Sequence, residues 1–387
     1  MLEPGRERAA LRGHPWIFSG AVARVEGEPQ CGESVEVRSA AGGFLARAAY
    51  SPRSQIRARV WTRDERETID GEFFRRRVRA AVRRRAGFDA EALRVVHGES
   101  DGLPGVVCDR YGEVAVVQLG SAGAERWREA IAAAVVEATG CAALYERSDL
   151  EVRALEGLAP RAGWLHGART DSTVVIAEGG IRYRVDVARG QKTGFYLDQR
   201  ANRARVRALA RGREVLNAFC YTGGFTLAAL AGGARLVLSI DSSAEALDAA
   251  RANAALNGCD PALLEWRGDD VFAALRALRG ERRAFDLVVL DPPKFAPTAQ
   301  HAARAARAYK DINLLALRLL RPGGLLVTFS CSGGVSPELF QKILAGAAAD
   351  APAEVECLAR LQADADHPVL LSFPEGEYLK GLLLRKR

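Results

Sequence analysis

From Glu214 to Ser330, short apolar runs alternate with stretches of helical period. Glu214–Ala218, Leu236–Ile240, Leu263–Arg267, Asp286–Leu290 and Leu325–Ser330 read as strands. Phe225–Ala231, Ala244–Asn257, Val271–Leu278 and a stretch within Ala299–Leu320 read as helices. Apolar strands this short, separated by helices, pack as a parallel sheet covered on both faces. The spacing therefore predicts an α/β fold. A hairpin, Thr173–Ala177 and Ile181–Val187, turns at Glu178-Gly179-Gly180, and a helix around Asp198–Arg211 leads into the sheet. At the chain's end, Val369–Phe373 and Tyr378–Leu384 around Pro374-Glu375-Gly376 read as an antiparallel hairpin that finishes it.

The first part of the chain has a different pattern. Residues 1 to about 70 are β-rich, with strands expected at Ser34–Arg38, Phe44–Tyr50 and Ile56–Trp61. Ile69 to Gly87 then reads as a helix, because Phe74, Val78, Ala81 and Val82 fall on one stripe. Arg75, Arg76, Arg77, Arg79, Arg83, Arg84 and Arg85 cover the rest of it. A solvated face is the preferred reading of these arginines, and direct RNA contact the alternative. A second small unit follows, with strands Gly105–Asp109 and Glu113–Leu119 joined at Arg110-Tyr111-Gly112, a helix over Glu125–Thr139 and a strand over Ala142–Glu146. The expected division is 1–70, β-rich; 71–172, α+β; and 173–387, α/β.

Composition narrows the chemistry. Seven cysteines without a C-x-x-C pair and five histidines argue against a metal site and against a disulfide framework. The longest apolar run, Ala130–Leu144, is broken by Glu137 and is too short to span a bilayer. Leu2–Arg24 carries charges throughout, so no signal peptide is expected and a cytoplasmic setting fits. The net charge is +7, and lysine occurs only at 192, 294, 310, 342, 380 and 386, leaving arginine to carry most of the positive charge. Arginine binds phosphate bidentately and stacks on bases, so a nucleic-acid partner is favoured.

In open α/β sheets, ligands bind beyond the carboxyl ends of the strands. After the first strand comes Asn217-Ala218-Phe219-Cys220-Tyr221-Thr222-Gly223-Gly224. Its glycine pair lets backbone approach a ligand and then starts a helix. Asp241 ends the second strand, where a carboxylate can accept both ribose hydroxyls of an adenosine. Ser242 and Glu245 are placed as a capping box for the next helix. Gly268-Asp269-Asp270-Val271-Phe272 follows the third strand and can offer a carboxylate to an adenine amino group. The G-x-G-x-x-G and G-x-x-x-x-G-K-[ST] spacings are both absent. An adenosine cofactor without a pyrophosphate fits best, and S-adenosylmethionine is the candidate.

The fourth strand ends in Asp291-Pro292-Pro293-Lys294-Phe295, a rigid platform against which a planar base can lie. The fifth ends in Phe329-Ser330-Cys331-Ser332-Gly333-Gly334. If these two strands are neighbours, Asp291 and Cys331 emerge side by side, ~4.8 Å being the strand spacing. A thiolate that adds to carbon 6 of a pyrimidine makes carbon 5 nucleophilic. Asp291 would hold the ring's N3/N4 edge. Cys220 is the rival nucleophile, within the cofactor loop. Methylation of an amine on an RNA base or a protein is the enzymatic alternative, and a non-catalytic RNA-binding protein the alternative of another class.

GQKTGFYLDQRANR (Gly190–Arg203), NAFCYTGGFT, DDVF, DPPKF and FSCSGG resemble, in this order, the bacterial large-subunit (23S) ribosomal RNA cytosine-5 methyltransferases. RGHPWIFSGAV (Arg12–Val22) is similar to their amino-terminal PUA domain. The resemblance implies a PUA domain, a small α+β domain and a Rossmann-like class I methyltransferase domain. It implies S-adenosylmethionine as donor, large-subunit ribosomal RNA as partner, 5-methylcytidine as product and Cys331 as nucleophile. Phe195 and Asp198, in or beside Lys192-Thr193-Gly194-Phe195, are placed near the cofactor's methionine end. The oligomeric state is left open, a homodimer included, and so is the base that removes the carbon 5 proton.

Overall fold

The alternating apolar runs form a sheet of seven strands. In chain order these are Glu214–Ala218, Leu236–Asp241, Leu264–Gly268, Phe285–Leu290, Leu320–Ser330, Val355–Gln362 and Lys380–Lys386. Across the sheet they lie third, second, first, fourth, fifth, seventh, sixth. The first five run parallel, and only Lys380–Lys386 runs against its neighbours. Strand order reverses between the first and fourth strands, which opens a crevice at their carboxyl ends.

The strands are apolar at successive positions because both faces are covered. Leu216, Leu238, Val288, Leu290 and Leu326 pack on one side with Leu275, Tyr309 and Ile312. Val215, Val237, Leu287, Val289 and Val327 pack on the other with Val206, Phe225 and Ala229. Each such side chain, fully buried, contributes roughly 1.5–3 kcal/mol. The amino-terminal strand ends are closed by ions: Glu214 pairs with Arg235, Arg283 and Arg321 at 3.0, 3.2 and 2.8 Å, and Asp286 pairs with Arg321 at 2.9 Å. The carboxyl ends carry the polar and glycine-rich tips.

These observations come from a computed structural model that describes residues 1–295 and 302–387. The chain divides into two compact units. The sheet lies in the unit made of Glu178–Arg184, Asp198–Asp364 and Glu377–Arg387. The other unit comprises Met1–Ala177, Val185–Leu197 and Ala365–Gly376. The expected α/β fold is found, with one correction at its end. Val369–Phe373 is not a strand: it lies between Pro368 and Pro374, neither of which has an N–H to donate to a ladder. The antiparallel partner of Lys380–Lys386 is Val355–Gln362, preceded by the helix Pro337–Asp350. The helix expected within Ala299–Leu320 is described from Ala302 to Leu319, and its first residues lie outside the described ones. The expected Asp198–Arg211 helix begins as a tight turn, Leu197–Gln199, and continues as Arg200–Leu209.

Among the described residues, the first unit holds a four-stranded and a five-stranded sheet. Trp16–Phe18, Ile56–Thr62, Phe44–Tyr50 and Ser34–Arg38 pair in that order around Leu2, Ile17, Val37, Ala46 and Val60. Ala92–His97, Val106–Tyr111, Val114–Leu119, Ala143–Ser148 and Arg161–His166 form a five-stranded sheet. Tyr111 is a buried strand residue, so the turn falls at Gly112, whose φ is 58°. Trp127 interrupts the expected helix, giving Ala122–Arg126 and Arg128–Thr139. Asp70 caps the arginine-bearing helix Gly71–Arg84. Carboxylates of the same unit face its arginines: Glu72 and Glu137 for Arg75, Glu67 for Arg76 and Arg77, Glu137 for Arg79, and Asp101 for Arg84 and Arg85. The charge run is thus largely an ion-paired face. Phe195 belongs to this unit, where its amide N–H donates to Tyr111 Oη at 3.2 Å.

Candidate active site

The loop after the first strand is held in an unusual backbone path. Phe219, Tyr221 and Gly223 have φ of 61°, 47° and 82°. Left-handed backbone is costly for the two aromatic residues, and such strain persists where the surroundings impose it. Here Asp241 imposes it. Its Oδ2 accepts the Tyr221 N–H at 2.8 Å and its Oδ1 the Ser243 N–H at 3.0 Å. A Cβ on Gly223 would come within 3.2 Å of Ala250 Cβ, so glycine suits both the turn and the packing. Gly224 then opens the helix Gly224–Ala231.

Beneath the loop, Asn217 Nδ2 donates to Thr226 Oγ1 at 2.9 Å, and Thr226 shares a 2.7 Å hydrogen bond with Ser239. Asn217 Oδ1 and Thr222 Oγ1 are buried without a hydrogen-bond partner among the described residues. Unsatisfied buried polar atoms beside a fixed carboxylate are what a site for a polar ligand leaves behind. These acceptors suit the ribose hydroxyls and amino groups of an adenosine cofactor.

The capping box is corrected by one residue. Ser243, not Ser242, caps Ala244–Leu256, its Oγ accepting the Ala246 N–H at 3.1 Å and donating to Glu245 Oε2 at 2.9 Å. Asp241 takes the Ser243 amide and so sets where the helix begins. Ser242 is left exposed. After the third strand, Asp270 Oδ1 accepts the Ala273 N–H at 3.0 Å as a helix cap. Asp269 is exposed before it, and Val271 is buried behind it.

The fourth and fifth strands are parallel neighbours, with Leu290 opposite Thr328. Asp291 and Cys331, both half-buried, therefore leave adjacent tips. The Cys331 thiol lies 3.8 Å from the Pro292 carbonyl oxygen, beside the Asp291-Pro292 platform. Pro292 is buried, and Pro293 and Lys294 are exposed. Phe295 sits among rings, its centroid 6.5, 5.9 and 4.9 Å from those of Phe219, Phe272 and Tyr309.

Ser330 and Ser332 are fully buried, while Cys331 between them is not. Ser332 Oγ accepts the Phe295 N–H at 3.1 Å and shares a 2.9 Å hydrogen bond with Tyr309 Oη. The flanking hydroxyl at 332 thus ties the two tips together beneath the thiol. Lys380, opposite Ser330 in the sheet register and only 7% exposed, donates to the Ser332 carbonyl at 2.8 Å. Burial pushes its pKa down, and the Cys331 thiolate and then Glu377 push it back up. Cys220 has the opposite setting: burial, then the Asp241 carboxylate, raise its thiol pKa far above the ordinary value.

Composition and spacing did not point to Gln199 or Asn202. Gln199 Nε2 donates to Asp291 Oδ2 at 3.0 Å, and Asn202 Nδ2 donates to Gln199 Oε1 at 2.6 Å. Nearby, Asp198 Oδ2 accepts the Tyr378 hydroxyl at 2.6 Å. The signal available for Lys380 was its rarity, one of six lysines in an arginine-rich chain.

Residues 150–385 match the family model described as S-adenosylmethionine-dependent methyltransferase. The chain belongs to that family. S-adenosylmethionine is accordingly its cofactor. Residues 1–63 match a PUA-like domain. Proteins named Ribosomal RNA large subunit methyltransferase I are similar over the whole length: the one from Erwinia tasmaniensis is 49% identical over 100% of this chain and 98% of its own. Its counterpart in Shewanella denitrificans is 48% identical over 99% and 98%. The resemblance carried by the sequence motifs is thus borne out at the level of the family. Among solved structures, a provisionally assigned S-adenosylmethionine-dependent methyltransferase from Streptococcus mutans superimposes with a TM-score of 0.86 at 22% identity, over 100% of this chain and 99% of that one. A second methyltransferase structure of the same provisional kind, complexed with SAH, gives a TM-score of 0.86 at 23% identity over 98% and 97%. At those identities the agreement is one of fold. Among the described residues, no helix is long and apolar enough to cross a membrane.

Proposed function

We propose that this chain methylates carbon 5 of a cytidine in large-subunit ribosomal RNA, with Cys331 as a transient nucleophile. The observation that carries this reading is the half-buried thiol at the tip of the fifth strand, 3.8 Å from the Pro292 carbonyl and next to the tip that bears Asp291. The relatives' names support ribosomal RNA as the substrate. The 1–70 segment serves as the RNA-binding PUA-like domain, 71–172 as a central domain and 173–387 as the catalytic domain. Its hold on RNA works largely through phosphate contacts, which weaken as salt rises.

Asp241 would hold the ribose hydroxyls of the cofactor, the Phe219–Gly224 backbone its amino-acid end, and Asp269 or the second oxygen of Asp270 its adenine. When bound, S-adenosylmethionine supplies an electrophilic methyl group. The chain's part is to make a poor carbon nucleophile a good one. The Cys331 thiolate adds to carbon 6, forming the C–S bond and shifting the ring's electrons toward carbon 5 and the N3 edge. Asp291 accepts from the amino group on carbon 4 and so holds the ring against the platform of Pro292, Pro293, Lys294 and Phe295. After carbon 5 is methylated, loss of its proton to a base restores the ring double bond and expels the thiolate. The Lys380 ammonium, buried near the thiol, favours the thiolate form. The target base must first leave any stack, at an expense of a few kcal/mol.

The test is nucleoside mass spectrometry of large-subunit ribosomal RNA, from cells lacking this protein, after incubation with it and S-adenosylmethionine. The expected product is 5-methylcytidine. An N-methylated nucleoside, or a Cys331→Ala protein that still methylates, would turn the reading toward amine chemistry.

A further inference from the structure

Behind Asp291 stands a hydrogen-bond relay whose direction is fixed by the backbone. Asn202 Nδ2 donates to the Gln362 carbonyl at 3.1 Å. A carbonyl oxygen can only accept, so this contact sets which end of the Asn202 amide faces it. The same Nδ2 donates to Gln199 Oε1 at 2.6 Å, which sets the Gln199 amide in turn. The Gln199 NH2 is then the end presented to Asp291 Oδ2, at 3.0 Å. Gln199 and Asn202 are 2% and 4% exposed, so bulk water does not compete for these bonds.

We infer that Gln199, held by Asn202, is a positioning residue that presents Asp291 to the target base as a hydrogen-bond acceptor, and so selects cytosine over uracil. A donor on one carboxylate oxygen favours the acceptor form of the group. Cytosine offers an amino group at carbon 4, which such an acceptor can receive. Uracil offers a carbonyl there, and two facing acceptors leave both unsatisfied. The inference rests on the proposed place of Asp291 at the pyrimidine edge.

The experiment compares methyl transfer to transcribed large-subunit ribosomal RNA and to the same transcript with the mapped target cytidine changed to uridine. Wild-type protein is expected to prefer cytidine at least about a hundredfold, and comparable rates on the two transcripts overturn the inference whatever the variants do. Gln199→Glu puts a second carboxyl within hydrogen-bond reach of Asp291. The two then share a proton, Asp291 gains a form that donates, and the cytidine preference is expected to fall at least tenfold. Gln199→Leu is expected to lower kcat on cytidine about tenfold with unchanged S-adenosylmethionine affinity. Asn202→Ala, which frees the Gln199 amide to turn, should lower the preference by a smaller factor. Variants that bind the cofactor normally yet keep both rate and preference overturn the inference. If wild-type protein makes no 5-methylcytidine, it is the underlying reading that fails; if it does and the Gln199 variants behave as wild type, only the relay fails.

Discussion

Two strand tips of the methyltransferase sheet carry a cysteine, and they are built as opposites. Cys220 follows the first strand, is 4% exposed, and faces the Asp241 carboxylate, so both burial and charge suppress its thiolate. Cys331 follows the fifth strand, is half-buried, and has the Lys380 ammonium acting on it. Cys220 is part of the wall that shapes a strained, ligand-ready loop. Cys331 is held out on a tip whose own anchoring falls to Ser332. A cysteine's chemistry follows from the charge and water around it, not from its nearness to a site.

The sharpest way to break this comparison is to remove each sulfur in turn. Cys331→Ala is expected to lower methyl transfer at least about a thousandfold, the scale of losing a nucleophile. Cys220→Ala should leave the rate within about threefold and lower unfolding stability by about 1 kcal/mol, as core substitutions commonly do. Radiolabelled methyl incorporation and urea unfolding read the two effects.

A smaller effect separates the tips by function. Asp241→Ala is expected to weaken S-adenosylmethionine binding about ten- to a hundredfold in calorimetric titration, the range for losing charged hydrogen bonds. It should leave alkylation of Cys331 unchanged. Equal effects on both would merge the two tips into one electrostatic unit.

The smallest expected effect tests the charge beside the proposed nucleophile. An ammonium stabilises a nearby thiolate, so Lys380→Met should leave less of the Cys331 sulfur in its reactive form. Iodoacetamide labelling of the Cys331 peptide at pH 7 then slows about tenfold, and the rising limb of the methyl-transfer pH profile moves to higher pH. Lys380→Arg keeps the charge and should stay near wild type.

Much of this was legible in the sequence because it depends on local pattern. The parallel sheet follows from apolar runs buried on both faces, and the tips from residues that interrupt those runs. The seventh strand's partner was misread. Val369–Phe373 looked like a strand by composition, yet it sits between two prolines, whereas Val355–Gln362 alternates weakly and is bulged. Gln199, Asn202 and Lys380 were missed for another reason. Their contacts join positions 92, 160 and 48 residues apart in the chain. No local spacing encodes those meetings; only the closed sheet brings them about. The Ser242 assignment failed by one residue because Asp241 takes the amide that sets the cap.

The most direct measurement uses RNA in which cytidine is replaced by 5-fluorocytidine. Fluorine at carbon 5 cannot leave as the proton does, so an adduct at carbon 6 cannot resolve. With S-adenosylmethionine present, wild-type protein and Cys220→Ala are expected to form an SDS-stable protein–RNA complex, and Cys331→Ala none. A complex that survives loss of Cys331, or an active wild-type enzyme that forms no complex at all, would contradict the account.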